Sequence, residues 1–109
     1  MRDALNSEQC SRYLKALADP QRLKILQSLR AGPRIVGDIA NELHSEIANV
    51  SHHLKQLRLA GIIRGKRHGR NVTYCISPSL TEDPKANCTS QNPLNVLEFG
   101  CCRIELGKR

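Results

Sequence analysis

Between residues 46 and 70 the sequence changes its period, and no other feature restricts the fold as much. Up to Ala60 the apolar residues Ile47, Val50, Leu54 and Leu57 recur at the spacing of one stripe along a helix. Gly61 follows, a residue suited to ending a helix in a left-handed turn. Beyond it, residues 62–67 and 70–76 read as two strands around His68-Gly69, a glycine-bearing hairpin turn. In the second strand Val72, Tyr74 and Ile76 share one face, and Asn71, Thr73 and Cys75 share the other. The helix thus leads directly into a small β-ribbon, basic at its tip.

Positive charge gathers in the same stretch. Residues 47–70 contain Lys55, Arg58, Arg64, Lys66, Arg67 and Arg70 with no acidic residue, and His52, His53 and His68 add hydrogen-bonding groups. Residues 1–80 carry 13 basic and 6 acidic side chains, whereas residues 81–109 carry four of each, so the net charge of +7 lies outside the tail. Such an excess points to a polyanionic partner, nucleic acid or an acidic membrane. No apolar run approaches the ~20 residues of a bilayer span, and MRDALNSEQC has no apolar signal segment. The expectation is a cytoplasmic protein without a membrane partner.

Trp is absent and only Tyr13, Tyr74 and Phe99 are aromatic, so the core must be built from Leu, Ile, Val and Ala. That composition suits packed helices and argues against a base-stacking sheet, which needs several exposed aromatic residues. Residues 7–18 form a candidate helix with Ser7 as its cap and Leu14, Leu17 and Ala18 on one side. Asp19-Pro20 interrupts it and starts the next, Asp19 as cap and Pro20 at the first helical position. Leu23, Ile25, Leu26 and Leu29 line that second helix until Gly32-Pro33. A third helix over 35–43 turns Ile35, Ile39, Ala40 and Leu43 inward, and His44-Ser45 leads to the fourth, over 46–60.

Residues 78–93, rich in Ser, Thr, Asn and Pro, read as a linker, and 96–106 as a short strand broken near Gly100. The expected fold is mainly α with a small β-hairpin wing. It is a winged helix-turn-helix in the order α-α-α-α-β-β, with room for an extra C-terminal strand. Residues 1–77 form the DNA-binding domain and 78–109 a cysteine-containing linker and tail.

A recognition helix must bury one stripe in its own domain while presenting small hydrogen-bonding side chains to base edges in the major groove. Asn49, Ser51 and His52 meet that demand, and Lys55 can approach phosphate. The stretches ALADPQRLKILQSL (16–29), VSHHLKQLRLAGII (50–63) and RHGRNVTYCI (67–76) resemble the ArsR/SmtB metalloregulatory repressors, with the likeness covering about residues 10–77. The resemblance implies a homodimeric winged-helix repressor that binds an imperfect palindrome in double-stranded DNA and releases it on binding an inducer. Carried over by position, Asn49, Ser51 and His52 resemble base-reading residues, and Lys55 and Arg70 phosphate contacts. Arg64, Lys66 and Arg67 extend the basic wing. His53 reads equally as a DNA contact or a hydrogen-bonded interior histidine, and Arg58 as a DNA contact or a surface ion-pair residue. The chain departs from the family at the entrance to this helix. Where members typically carry Gly-apolar-Ser-Gln-Ser-Thr-Val, it has His44-Ser45-Glu46-Ile47-Ala48-Asn49-Val50, with Ser45 or Glu46 as cap.

Five cysteines are many for a reduced cytosol, and an odd number cannot all pair within one chain. The resemblance supplies a class of inducer, but residues 34–40 hold no cysteine for the arsenic site some members carry there. No histidine follows Ile76 to build a C-terminal zinc site. Cys88, Cys101 and Cys102 remain as a candidate trigonal site for As(III), Sb(III) or another thiophilic ion, with Cys10 and Cys75 as recruits. Two other readings stand beside it: a buried small apolar role for Cys101 or Cys102, and a thiol redox response with Arg103 stabilising a thiolate. A different class altogether is a winged-helix module that binds protein or RNA through the same surface. Catalysis is not expected, because the chain has no phosphate-binding Gly-rich loop, no His-Glu-x-x-His element and no carboxylate pair in an apolar setting.

Overall fold

Asp19 and Pro20 divide the first two helices by local chemistry. In the computed structural model, which describes residues 7–80, 96–99 and 102–106, helix α1 (Ser7–Leu17) stops and α2 (Pro20–Leu29) begins around an extended Asp19. Its Oδ1 accepts hydrogen bonds from the Gln21 and Arg22 amides at 2.8 and 3.3 Å, while Pro20 fills the first helical position, where no amide hydrogen is required. Desolvation works to raise the Asp19 carboxyl. The accepted amide bonds outweigh it, helped by the charge of Arg22, and hold the group below its ordinary value of 3.8.

Helix α2 buries Ile25, Leu26 and Leu29, and with them Ser28. A buried hydroxyl without a partner would cost about 1–3 kcal/mol. Ser28 donates to Glu42 Oε1 at 3.0 Å, and Arg34 closes the group by donating Nε to the Ser28 carbonyl at 3.0 Å and lying 3.5 Å from the same Glu42 oxygen. This cluster fastens the end of α2 to helix α3 (Val36–Leu43).

The expected third helix is one residue too long at its start. Ile35 lies in a two-residue strand, β1 (Arg34–Ile35), in which Arg34 and Ile35 pair with Tyr74 and Thr73 of β3 (Asn71–Ile76). Strand β2 (Ile63–His68) pairs on the other side, giving an antiparallel sheet in the order β1-β3-β2. His68 pairs with Asn71, so the hairpin turn is Gly69-Arg70 rather than His68-Gly69, with Gly69 at φ +62°. Helix α4 (Ile47–Leu59) ends as expected at Gly61, which sits at φ +83°.

The core joins α2, α3, α4 and the base of the wing through Ile39, Val50, Leu54, Leu57, Ile62 and Ile63. Leu80, in the 3-10 turn Pro78–Leu80, and Leu97 and Leu106 belong to the same cluster. The tail forms two strands instead of one, β4 (Val96–Glu98) and β5 (Arg103–Glu105), paired as a separate antiparallel sheet. Its Phe99 ring lies 4.8 Å from that of Tyr13 on α1. Two stripe assignments fail. Leu14 and Ala18 face outward, leaving Ala16 and Leu17 as the buried residues of α1, and Ile47 is 56% exposed.

Helix α3 ends in a left-handed residue, His44 (φ 54°, ψ 45°). That conformation costs a non-glycine side chain about 1–2 kcal/mol, and glycine gives back part of the gain through a freer unfolded chain. His44→Gly should therefore raise the unfolding free energy by about 0.5–1 kcal/mol, measurable by urea denaturation. Asp19 predicts a pH dependence. Its folded-state pKa is depressed, so its contribution is present above 3.8 and fades as pH falls through the lower folded value. Wild type should melt above Asp19→Asn at neutral pH, and the difference in Tm should close on acidification below about pH 4.

Candidate nucleic-acid interface

The turn between α3 and α4 sets the direction of the candidate reading helix. The Ser45 amide donates to the Ala40 carbonyl at 3.0 Å and the His44 amide to Asn41 at 3.3 Å, which closes the end of α3. Glu46 is extended (φ −73°, ψ 145°) and its carbonyl receives the Val50 amide at 3.0 Å, the first turn of α4. Neither cap expectation holds as a side-chain bond. Glu46 stands at the cap position without one, and the Ser45 hydroxyl instead receives the Asn49 side-chain amide at 3.1 Å.

Val50, Leu54 and Leu57 are at most 1% exposed and fix the roll of α4. The rest of the expected arrangement follows from that anchorage. Asn49, Ser51, His52 and Lys55 are exposed, with Arg58 on the last turn. On the wing, Arg64, Lys66, Arg67, His68 and Arg70 are all exposed. Strand alternation puts Arg64, Lys66 and His68 on one face of β2, with Arg67 on the other, and places Arg70 in the turn. No described acidic residue pairs with any of the six cations between 47 and 70.

His53 differs from its neighbours. It is half-buried, and its Nδ1 lies 3.2 Å from Arg22 Nε. A guanidinium can only donate, so this ring nitrogen accepts and carries no hydrogen. Arg22 also donates through Nη1 to the Ala16 carbonyl at 3.2 Å, so one side chain joins α1, α2 and α4. The geometry favours the interior reading of His53 over the DNA contact. No local pattern singles out Arg22, because its partners lie 6 and 31 residues away. Ile47, expected in the core, is instead exposed at the start of α4, as are Ala48 and Asn49.

The cysteines do not form one set of thiols. Cys10 on α1 and Cys75 on β3 are each engaged in a disulfide, so neither offers a thiolate as a recruit in this state. Cys102 is a free, half-exposed thiol. Cys88 and Cys101, the other two of the expected triad, lie outside the described residues. Among the described residues no group of three or more His, Cys, Asp or Glu could hold a metal ion. No described helix is long and apolar enough to cross a membrane.

Comparison with known proteins agrees with this geometry. The sequence model of the arsR family of bacterial regulatory proteins matches residues 19–64. The HTH-type transcriptional regulator NmtR of Mycobacterium tuberculosis is 42% identical over 74 residues, covering 68% of this chain and 62% of NmtR. The chain thus spans less than two thirds of that relative. The transcriptional repressor SdpR of Bacillus subtilis is 36% identical over 69 residues, which are 63% of this chain and 77% of SdpR. Among solved structures, the homodimeric winged helix-turn-helix DNA-binding domain Mb0332 from Mycobacterium bovis superposes with a TM-score of 0.63 at 34% identity, covering 65% of this chain and 66% of that one.

Proposed function

The chain belongs to the arsR family of bacterial regulatory proteins, and from that premise we propose that it represses transcription as a homodimer bound to a palindromic duplex operator. What supports the reading is the gathering of exposed polar and basic side chains on two adjoining elements, α4 and the wing. Asn49, Ser51, His52 and Lys55 on α4 and Arg64, Lys66, Arg67 and Arg70 on the wing are exposed together, with no acidic side chain among them. Small polar groups on a helix suit base edges, and flanking cations suit phosphates. A-form RNA has a major groove too narrow to admit such a helix, which favours DNA. The family is one of regulators and not of enzymes. Its work would lie in the cytoplasm, where bacterial DNA is.

The homodimer draws on two facts. Leu14 on α1 is 47% exposed, an apolar side chain with no core role, and the related Mb0332 domain is homodimeric. Two-fold symmetry would set the reading helices about one DNA turn, ~34 Å, apart. Release by a thiophilic ion, As(III) or Sb(III) by chemical class, is the finer part of the proposal. Cys102 supplies a free thiol on the tail, next to Phe99, which packs on α1, and close in sequence to Leu97 and Leu106, which enter the core. Capture of an ion by Cys88, Cys101 and Cys102 would thus pull on the elements that seat α1.

Band-shift titrations on duplex DNA should give binding that weakens steeply with salt, with two chains per duplex. Arg70→Ala should weaken all sequences alike and reduce the salt slope by about one. Asn49→Ala should cost about 1–3 kcal/mol and relax preference at one base pair of each half-site. Preference for RNA over duplex DNA would overturn the reading. For the inducer, arsenite should release DNA from wild type but not from the Cys101→Ser/Cys102→Ser variant. Identical responses of both proteins to arsenite, Cd(II), Zn(II) and peroxide would remove the vicinal pair from any sensing role.

A further inference from the structure

The first residue of α4 is an isoleucine with 56% of its surface open to solvent. Burying such a side chain is worth about 1.5–3 kcal/mol, and the residues that continue its stripe, Val50, Leu54 and Leu57, are all buried. Ile47 belongs to the same side of the helix by angle but lies beyond the edge of the domain along the axis. Its exposed neighbours are Glu46 at the cap position, Ala48, which has only a methyl group, and Asn49, whose amide is turned onto Ser45. The entrance to α4 therefore carries an apolar tip, Ile47-Ala48, where the family run quoted above has Gln-Ser. Polar groups resume at Asn49 and Ser51.

Resting on the DNA-binding reading, we propose that Ile47 reads a thymine in each operator half-site by packing against its C5 methyl group. Helices that enter the major groove place their first turn against base edges. The thymine methyl is the apolar group displayed there, and aliphatic side chains recognise it by contact. The uncompensated cations of the wing and of Lys55 supply the attraction that holds this tip in the groove. Ile47 and Ser51 lie one turn apart, about 6 Å along the axis, so the thymine sits within about two base pairs of the one facing Ser51.

The test uses the full chain and a duplex selected by the wild-type protein from a randomised library. Each thymine of the selected half-site is replaced in turn by deoxyuridine, which pairs identically but lacks the methyl. One replacement should weaken wild-type binding about three- to five-fold, the effect of one methyl group. Ile47→Ala should bind the thymine duplex more weakly, be indifferent to that uracil and melt with the wild type. Asn49→Ala should bind more weakly yet keep the full uracil penalty. Salt-sensitive wild-type binding that is indifferent to every uracil, or an Ile47→Ala protein that retains the penalty, would overturn the thymine contact and leave DNA binding standing. A change in the oligomeric state of Ile47→Ala without DNA would assign the side chain to a second copy instead and also overturn it. Failure of the wild type to bind any duplex would remove the DNA reading itself.

Discussion

The burial of Val50, Leu54 and Leu57 decides everything that α4 presents. A helix has one rotational degree of freedom against its domain, and three side chains at most 1% exposed remove it. Once they are seated, Asn49, Ser51, His52 and Lys55 have no choice of direction, and the exposed polar face of α4 follows from packing on the opposite side. The same core reaches the wing through Ile62 and Ile63, so the helix and the basic hairpin share one foundation. The exposed face of α4 and the wing thus rest on one apolar core, joined by the turn at Gly61.

The electrostatics complement that geometry. Cations are repelled by one another when clustered on a small surface, and a fold usually relieves this with interspersed carboxylates. Here the acids sit elsewhere and do structural work: Asp19 caps α2, Glu42 holds Ser28 and Arg34, and Glu98 pairs with Arg103 in the tail. The wing cations keep their charge for counterions or for a polyanion.

Much of this was legible in the sequence wherever local chemistry decides the outcome. The Asp19-Pro20 junction, the stop at Gly61 and the basic hairpin each need only residues a few positions apart, and each appears as read except that the hairpin turn falls one residue later, at Gly69-Arg70. What could not be read depends on distant partners. Strand β1 is two residues long, too short for any period, and exists because Tyr74 and Thr73 offer hydrogen bonds from nearly 40 residues away. Ile47 shows a different limit. Periodicity gives the angle of a side chain around a helix and says nothing about where the domain ends along it. On α1, too, the side shared by Leu14, Leu17 and Ala18 does not translate into burial, since only Ala16 and Leu17 meet the core. Likewise, cysteine spacing does not reveal which sulfurs meet, and the disulfide bonding of Cys10 and Cys75 was not foreseen.

Arg22 makes the helices mechanically dependent on one another. Its planar fork is stiff and directional, and it grips the last turn of α1 through the Ala16 carbonyl and the interior imidazole of α4 through Nδ1. If α1 tilts, the guanidinium must release one of the two or carry His53 with it. The pitch of the reading helix is then set partly from outside its own turn. Whatever leans on α1, as the Phe99 ring does through Tyr13, has a lever on the exposed face of α4.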